Sequence, residues 1–183
     1  EQAHSPFYRG SLNHNVVTVA TLLRDAGYNT SMAGKWHLGY ENESLLPINR
    51  GFEKTITMPF SGGDNWTQQS YVPHYEKTLW FENGKEINVP EDFYSSKFIV
   101  DKTIEQLENN LHTNEKDRKP FFSYVSFQAV HIPIQAPKAF TEKYIGSYKD
   151  GWHVLRKNRQ KAVKNLGLLS ASAPRKRMPS TTD

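Results

Sequence analysis

Apolar positions return every three to four residues in "VVTVATLLRDAGY" (16–28), where Val19, Leu22, Leu23 and Ala26 share a helical spacing and Gly27 stands where a helix would stop. The next segment, "YNTSMAG", is short, β-tolerant and closed by glycine, so a strand is expected to follow the helix. Residues 50–92 mix Gly, Pro and aromatics in "RGFE", "SGGDNWT" and "YVPHY" and read as long ordered loops. One hairpin interrupts them: Asn83-Gly84 in "TLWFENGKEINV" is a two-residue turn signal between strand-like runs. "FYSSKFIVDKTIEQLENNLHT" predicts a helix with Val100, Ile104, Leu107 and Leu111 on its buried face and Ser95 or Ser96 as its cap.

After the polar connection "NEKDRKP", the aromatic and β-branched run "PFFSYVSF" predicts a buried strand. Pro133 and Pro137 prevent it from continuing, which leaves His131 on the loop that departs from it. "PKAFTEKYIGSY" and "GWHVLRKNRQKAVKNLG" read as helices, the second with Leu155, Ala162, Val163 and Leu166 as its buried stripe. Beyond Gly167 the Ser/Pro/Arg-rich segment has no periodicity. Helix, strand and loop, repeated later in the chain, indicate a layered α/β architecture. Sheets of that kind bind ligands beyond the carboxyl ends of their strands.

Composition narrows the possibilities. With 183 residues, 37% of them hydrophobic and 13% aromatic, one domain with a sizeable core is expected. No apolar run approaches the ~18 residues a membrane-spanning helix requires. The absence of cysteine excludes disulfides, thiolate zinc sites and a cysteine nucleophile within these residues. The chain opens on Glu1 without a basic-then-apolar leader, so any targeting segment is expected to have been removed or to lie outside it. The net charge of +4 is uneven: residues 151–183 carry eight Lys/Arg against Asp183 alone, a surplus of seven. Such a segment suits an anionic partner, nucleic acid included; a solvated helix face is the plainer reading, and aromatics are not interleaved with the basic residues beyond Trp152.

The candidate chemistry lies in "GKWHLG" (34–39), just past the first expected strand. If the backbone continues extended, Lys35 and His37 project to one side and Trp36 to the other. A fixed ammonium beside a group that moves protons near neutral pH suits an anion undergoing acid-base chemistry. The six residues also fit a purely structural role, with Trp36 in the core, Lys35 snorkelling past it and His37 bonded to a carbonyl. His131 by itself, between apolar neighbours and a proline, is of a kind more often a satisfied core or loop histidine than a catalyst. The remaining histidines form no i, i+4 metal pair, and neither a His-Glu-x-x-His motif nor a P-loop occurs.

Taken together, "TVATLLRDAGYNTSMAGKWHLG", "NRGFE" and "PFFSYVSFQAVHIPIQAP" resemble the type I sulfatases of the alkaline-phosphatase-like superfamily, closest to the bacterial arylsulfatase branch. "VPEDFYSS" and "KYIGSYKDGWHVLRKNRQKAVKNLGLL" extend the resemblance over nearly the whole chain. It implies an α/β fold, a fragment of an alkaline-phosphatase-like layered sheet with flanking helices and long loops. Residues 1–167 would be part of the catalytic domain, and 168–183 a basic tail or loop of it.

The implied activity is hydrolysis of sulfate monoesters to an alcohol or phenol and inorganic sulfate, acting on a sulfated small molecule or sulfated glycan. By the same resemblance, Lys35 would bind the sulfate and the hydrate of a formylglycine nucleophile. His37 would orient that hydrate and take its proton, and His131 would contact the sulfate and protonate the departing oxygen. The resemblance further implies calcium and a periplasmic or secreted location. Neither the formylglycine motif, Cys/Ser-x-Pro-x-Arg, nor an Asp-Asp pair occurs in these 183 residues, and the resemblance implies that the later Asp-Asn metal pair lies outside them. "HSPFY" (4–8) and "SAPRK" (172–176) are incomplete likenesses of the former. An internal fragment, inactive alone, is therefore expected. A phosphodiesterase or phosphonate hydrolase of the same superfamily is the alternative enzyme, and a basic nucleic-acid-binding module the alternative outside enzymes.

Overall fold

The computed structural model describes residues 10–73, 75–112 and 115–174. Its elements are α1 (Val19–Asp25), β1 (Asn29–Lys35), β2 (Lys54–Met58), β3 (Trp80–Glu82), β4 (Lys85–Ile87), α2 (Ser95–Leu111), β5 (Phe121–Ser126), α3 (Lys138–Thr141) and α4 (Gly151–Asn165), with short 3-10 turns between them. Contacts divide the chain into two compact units, Glu1–Gln135 and Ala136–Asp183.

The first unit is built on a five-stranded sheet in the order β4-β3-β2-β1-β5. β1 runs parallel to both β2 and β5, whereas β3 and β4 form the antiparallel edge. β1 is buried along its length, as a parallel strand covered on both faces must be. Alternation along it separates two cores. Ala33 joins Ile56, Met58, Trp80, Phe93, Phe98 and Ile99, the cluster that includes the start of α2. Met32 joins Ala20 of α1, Trp36 and Phe52.

The hairpin forms as the sequence predicts: Asn83 and Gly84 both have positive φ, 48° and 84°, the conformation demanded by a turn whose twist matches its strands. The loop expected over 50–92 instead contains β2, because the β-branched run "KTITM" finds a parallel partner in β1. That pairing is long-range and leaves little local signal.

Several expected burial patterns, and one expected helix cap, are corrected. α2 packs through Ser95, Phe98, Ile99 and Asn110, while Val100, Ile104 and Leu111 are exposed. The helical period was legible but its phase was not, because Phe98 and Ile99 are selected by the aromatic cluster around Trp80. Neither serine caps α2: the helix begins at Ser95 with Tyr94 as N-cap, and the Ser95 hydroxyl bonds Asn65. Val19 and Leu22 of α1 are 60% exposed, and only Ala20 of that helix is buried.

β5 is likewise a strand but not a buried one. Phe121, Tyr124 and Val125 are exposed, since among the described residues it pairs on one side only. In the second unit α4 forms as expected, yet none of its residues is buried; Leu155 and Val163 are partly covered and Ala162 and Leu166 are exposed. The basic residues beyond Pro174, and the "HSPFY" segment, lie outside the described residues.

Candidate active site

Because β1, β2 and β5 are parallel and in register at Lys35↔Met58 and Gly34↔Ser126, their carboxyl ends deliver three loops to one edge of the sheet. Those loops begin at Trp36, Pro59 and Phe127. Trp36 anchors the first. It is 8% exposed, its indole N–H donates to Leu45 O at 2.8 Å, and its ring meets Phe52 edge-on. The core-anchor role for Trp36 thus holds, alongside a different fate for its neighbours.

The chain does not continue extended past Lys35. His37 has φ 52°, in the left-handed region that non-glycine residues seldom occupy. Such backbone outliers persist only where surroundings enforce them, and they cluster at functional sites. Leu12 N–H donates to Leu38 O at 2.9 Å, and Gly39, at φ 120°, is packed so closely that a Cβ would lie 2.9 Å from both Ser11 and Leu45. "GKWHLG" is therefore a tight turn with a tryptophan root, and the two glycines are the positions where a side chain would not fit.

Lys35 reaches across to the second loop, where its Nζ donates to Ser61 Oγ at 2.9 Å. Partial burial lowers its pKa from the ordinary lysine value. Ser61 is in turn held by Tyr75, whose hydroxyl accepts from Ser61 N–H at 2.9 Å and donates to Ser61 O at 2.6 Å. Ser61 escaped the sequence reading. Its signal was its place three residues past β2, the strand beside β1, and that strand was itself missed.

The His37 imidazole is shifted below its ordinary value of 6.5, first by desolvation, then by the charge of Lys35, then by that of His131. Although His37 is exposed as a residue, its ring shares an electrostatic neighbourhood with both other groups. His131, although distant in sequence, therefore lies near enough to His37 for its charge to act there, as the charge of Lys35 does. His131 is on an exposed loop and its Nδ1 donates to Ile132 O at 2.6 Å, which leaves Nε2 as the free ring nitrogen.

One ammonium, one hydroxyl and two imidazoles form a set suited to a small oxyanion. They are a poor set for calcium, which seeks several oxygen ligands, and among the described residues no group of three or more His, Asp or Glu is placed to hold a metal. A cavity of about 240 Å³ lies elsewhere, lined by Asn29, Glu53, Lys54 and Gln106 near the opposite ends of the strands. Ligand chemistry at such sheets belongs at the carboxyl edge, so this cavity is not assigned to the site.

A family model described as Sulfatase matches residues 2–172. The chain belongs to the sulfatase family. It is 37% identical over 171 residues to an uncharacterized sulfatase of Schizosaccharomyces pombe, an alignment covering 90% of this chain and 30% of that one. Against an arylsulfatase of Klebsiella aerogenes it is 31% identical over 169 residues, covering 91% of this chain and 35% of the relative. This sulfatase chain therefore spans about a third of the length of the curated relatives it matches.

Among solved structures, Ps i-CgsB in complex with k-i-k-neocarrahexaose superposes with a TM-score of 0.60 at 22% identity, over 73% of this chain and 31% of that one. BT4656, in complex with its substrate D-glucosamine-2-N,6-O-disulfate, gives a TM-score of 0.55 at 26% identity, over 76% and 24%. The α/β sheet with flanking helices is the fold these neighbours share.

Proposed function

We propose that this chain supplies the Lys35, His37 and His131 side of a site that hydrolyses sulfate monoesters to an alcohol or phenol and inorganic sulfate. The observation that supports the proposal is that Lys35 and His37 lie where β1 ends and His131 lies on the loop leaving the adjacent parallel strand β5, with Lys35 and His131 the charges that act on His37. A sulfate ester is an anion that repels an incoming nucleophile, so a preorganised cation is the first requirement. The Lys35 ammonium, aimed by Ser61, binds the sulfate oxygens, and their charge offsets the cost of its desolvation.

His37, whose protonated form is disfavoured by burial and by the neighbouring charges, is the proton acceptor at the nucleophile's side. His131, with Nδ1 engaged by Ile132 O, contacts the sulfate and delivers a proton from Nε2 to the departing oxygen. The formylglycine nucleophile and calcium that the family resemblance implies would come from residues other than these. Calcium would supply a fixed positive charge next to the sulfate. Residues 1–167 are read as part of one catalytic domain, acting on a sulfated small molecule or sulfated glycan in a periplasmic or secreted setting. No described helix is long and apolar enough to cross a membrane.

Single replacements of Lys35, His37 and His131 by Ala in the full-length enzyme test this. Each is expected to lower turnover of a sulfate ester by ~100-fold or more. Near-normal rates in all three variants would remove the assignment. Comparing kcat/KM for sulfate and phosphate esters of the same phenol separates the sulfatase from the phosphodiesterase or phosphonate hydrolase reading. Nucleic-acid binding by the basic segment would instead show as affinity falling steeply with salt.

A further inference from the structure

The loop that carries His131 lacks the packing that ordinarily fixes a loop. Val130, Ile132 and Ile134 are 86%, 65% and 82% exposed, so burial does not hold the residues on either side of the imidazole. Both ends of the loop are instead tied by glutamine side chains to the short segment 63–65. Gln128, itself buried, donates from Nε2 to Gly63 O at 2.6 Å and to Asn65 Oδ1 at 3.0 Å. The backbone carbonyl of Gln128 also accepts from the backbone N–H of His131 at 3.1 Å. At the far end, Gln135 accepts at Oε1 from the Asn65 backbone N–H and from Asn65 Nδ2, both at 3.0 Å, and donates from Nε2 to Asp64 Oδ2 at 2.6 Å.

Asn65 stands between the two glutamines at 2% exposure. Its amide oxygen faces Gln128 and the Ser95 hydroxyl, and its amide nitrogen faces Gln135. Its backbone carbonyl accepts from Ser95 N–H at 2.9 Å, which fastens the arrangement to the first residue of α2. Only a side chain with a donor on one side and an acceptor on the other satisfies both glutamines at once. The loop after β2 that carries Asn65 also carries Ser61, the acceptor for Lys35. Both halves of the site are thus referenced to residues 61–65.

We propose that Asn65 is a positioning residue: it is the centre of a buried amide clasp, Gln128 to Asn65 to Gln135, that holds the His131 loop at both ends and sets the separation of His131 from Lys35 and His37. The proposal rests on the reading of that cluster as the reactive site. Because the clasped loop carries no buried apolar anchor of its own, loss of the clasp frees His131 while leaving the two cores intact.

The test is a histidine-resolved NMR titration of the folded chain in the wild type, His131→Gln, Asn65→Ala, Gln135→Met, and the Asn65→Ala/His131→Gln double variant. Lys35 and His131 are the charged groups that act on His37, so removing His131 raises the His37 midpoint. Asn65→Ala is expected to raise it by the same amount, with no further rise in the double variant; Gln135→Met, which opens one end, gives a smaller rise. If Asn65→Ala and Gln135→Met depress the melting temperature but leave the His37 midpoint in place while His131→Gln moves it, Asn65 is merely structural and the proposal is overturned. Should Asn65→Ala fail to fold, Gln135→Met at its partly exposed position decides alone. An unmoved midpoint in His131→Gln removes the shared neighbourhood and the clasp's role with it. Normal turnover in the Lys35, His37 and His131 variants of the full-length enzyme would sink the catalytic reading while leaving these titrations as they stand.

Discussion

Gly34 and Ser126 meet backbone to backbone where β1 and β5 end: a Cβ on Gly34 would lie 1.9 Å from Ser126 O. The Ser126 hydroxyl donates to Lys35 O at 2.6 Å, and Thr57 donates to Gly34 O at 3.0 Å. This contact brings the strand end carrying Lys35 against the one leading to His131. It requires glycine twice over, since φ at Gly34 is 118°.

Gly34→Ala is accordingly expected to cost about 3 kcal/mol or more, from overpacking and backbone strain together. Urea unfolding reads this as a lower midpoint. A variant as stable as wild type would mean that β1 and β5 do not approach so closely.

Ser61 has no assigned chemistry of its own, but it aims the Lys35 ammonium. Ser61→Ala in the full-length enzyme is expected to lower kcat/KM by about 10-fold, the worth of one charge-assisted hydrogen bond. Ser61→Thr, which keeps the hydroxyl, should recover part of it. Equal losses in the two variants would point to packing around Tyr75 instead.

The His37 imidazole resists protonation in the fold, so between its lowered folded pKa and the ordinary 6.5 the unfolded chain binds the additional proton. Stability from this residue is complete above 6.5 and declines as pH falls toward the folded value. Removing the adjacent charge with Lys35→Gln should raise the His37 midpoint toward 6.5, narrowing this window and shrinking the acid-side loss. NMR titration of the two proteins checks the direction.

Asp64 carries the opposite chemistry at the clasp. Burial alone would raise its pKa, but hydrogen bonds from Gln135, Thr67 and Trp66 overcome that and bring it down to about 2. The stabilisation it supplies is complete above its ordinary value of 3.8 and is lost as pH falls toward 2. Asp64→Asn should flatten that part of the stability profile, and an unchanged slope between pH 4 and 2 would show that the carboxylate is not held as described.

Residues 1–183 alone, with calcium added, are expected to release no phenol from an aryl sulfate. Turnover that survived repurification and disappeared in Lys35→Ala would place a nucleophile within this chain.

The local code carried a good deal. Val19 to Gly27 specified a helix and its stop and Asn83-Gly84 specified a hairpin, because periodicity and positive-φ turns leave marks within a few residues; "GKWHLG" marked where Lys35 and His37 lie, but not the departure from an extended path at His37. Tertiary structure decided what those marks cannot contain. β2 exists because a distant parallel partner completes its hydrogen bonds; α2 turns Phe98 and Ile99 inward because Trp80 and Phe93 wait there; and Ser61, Asn65 and Gln135 acquire roles only when three strand ends converge. Sequence fixes which groups are available within a turn of the backbone, whereas long-range pairing, whose partners lie tens of residues away, determines which of them meet.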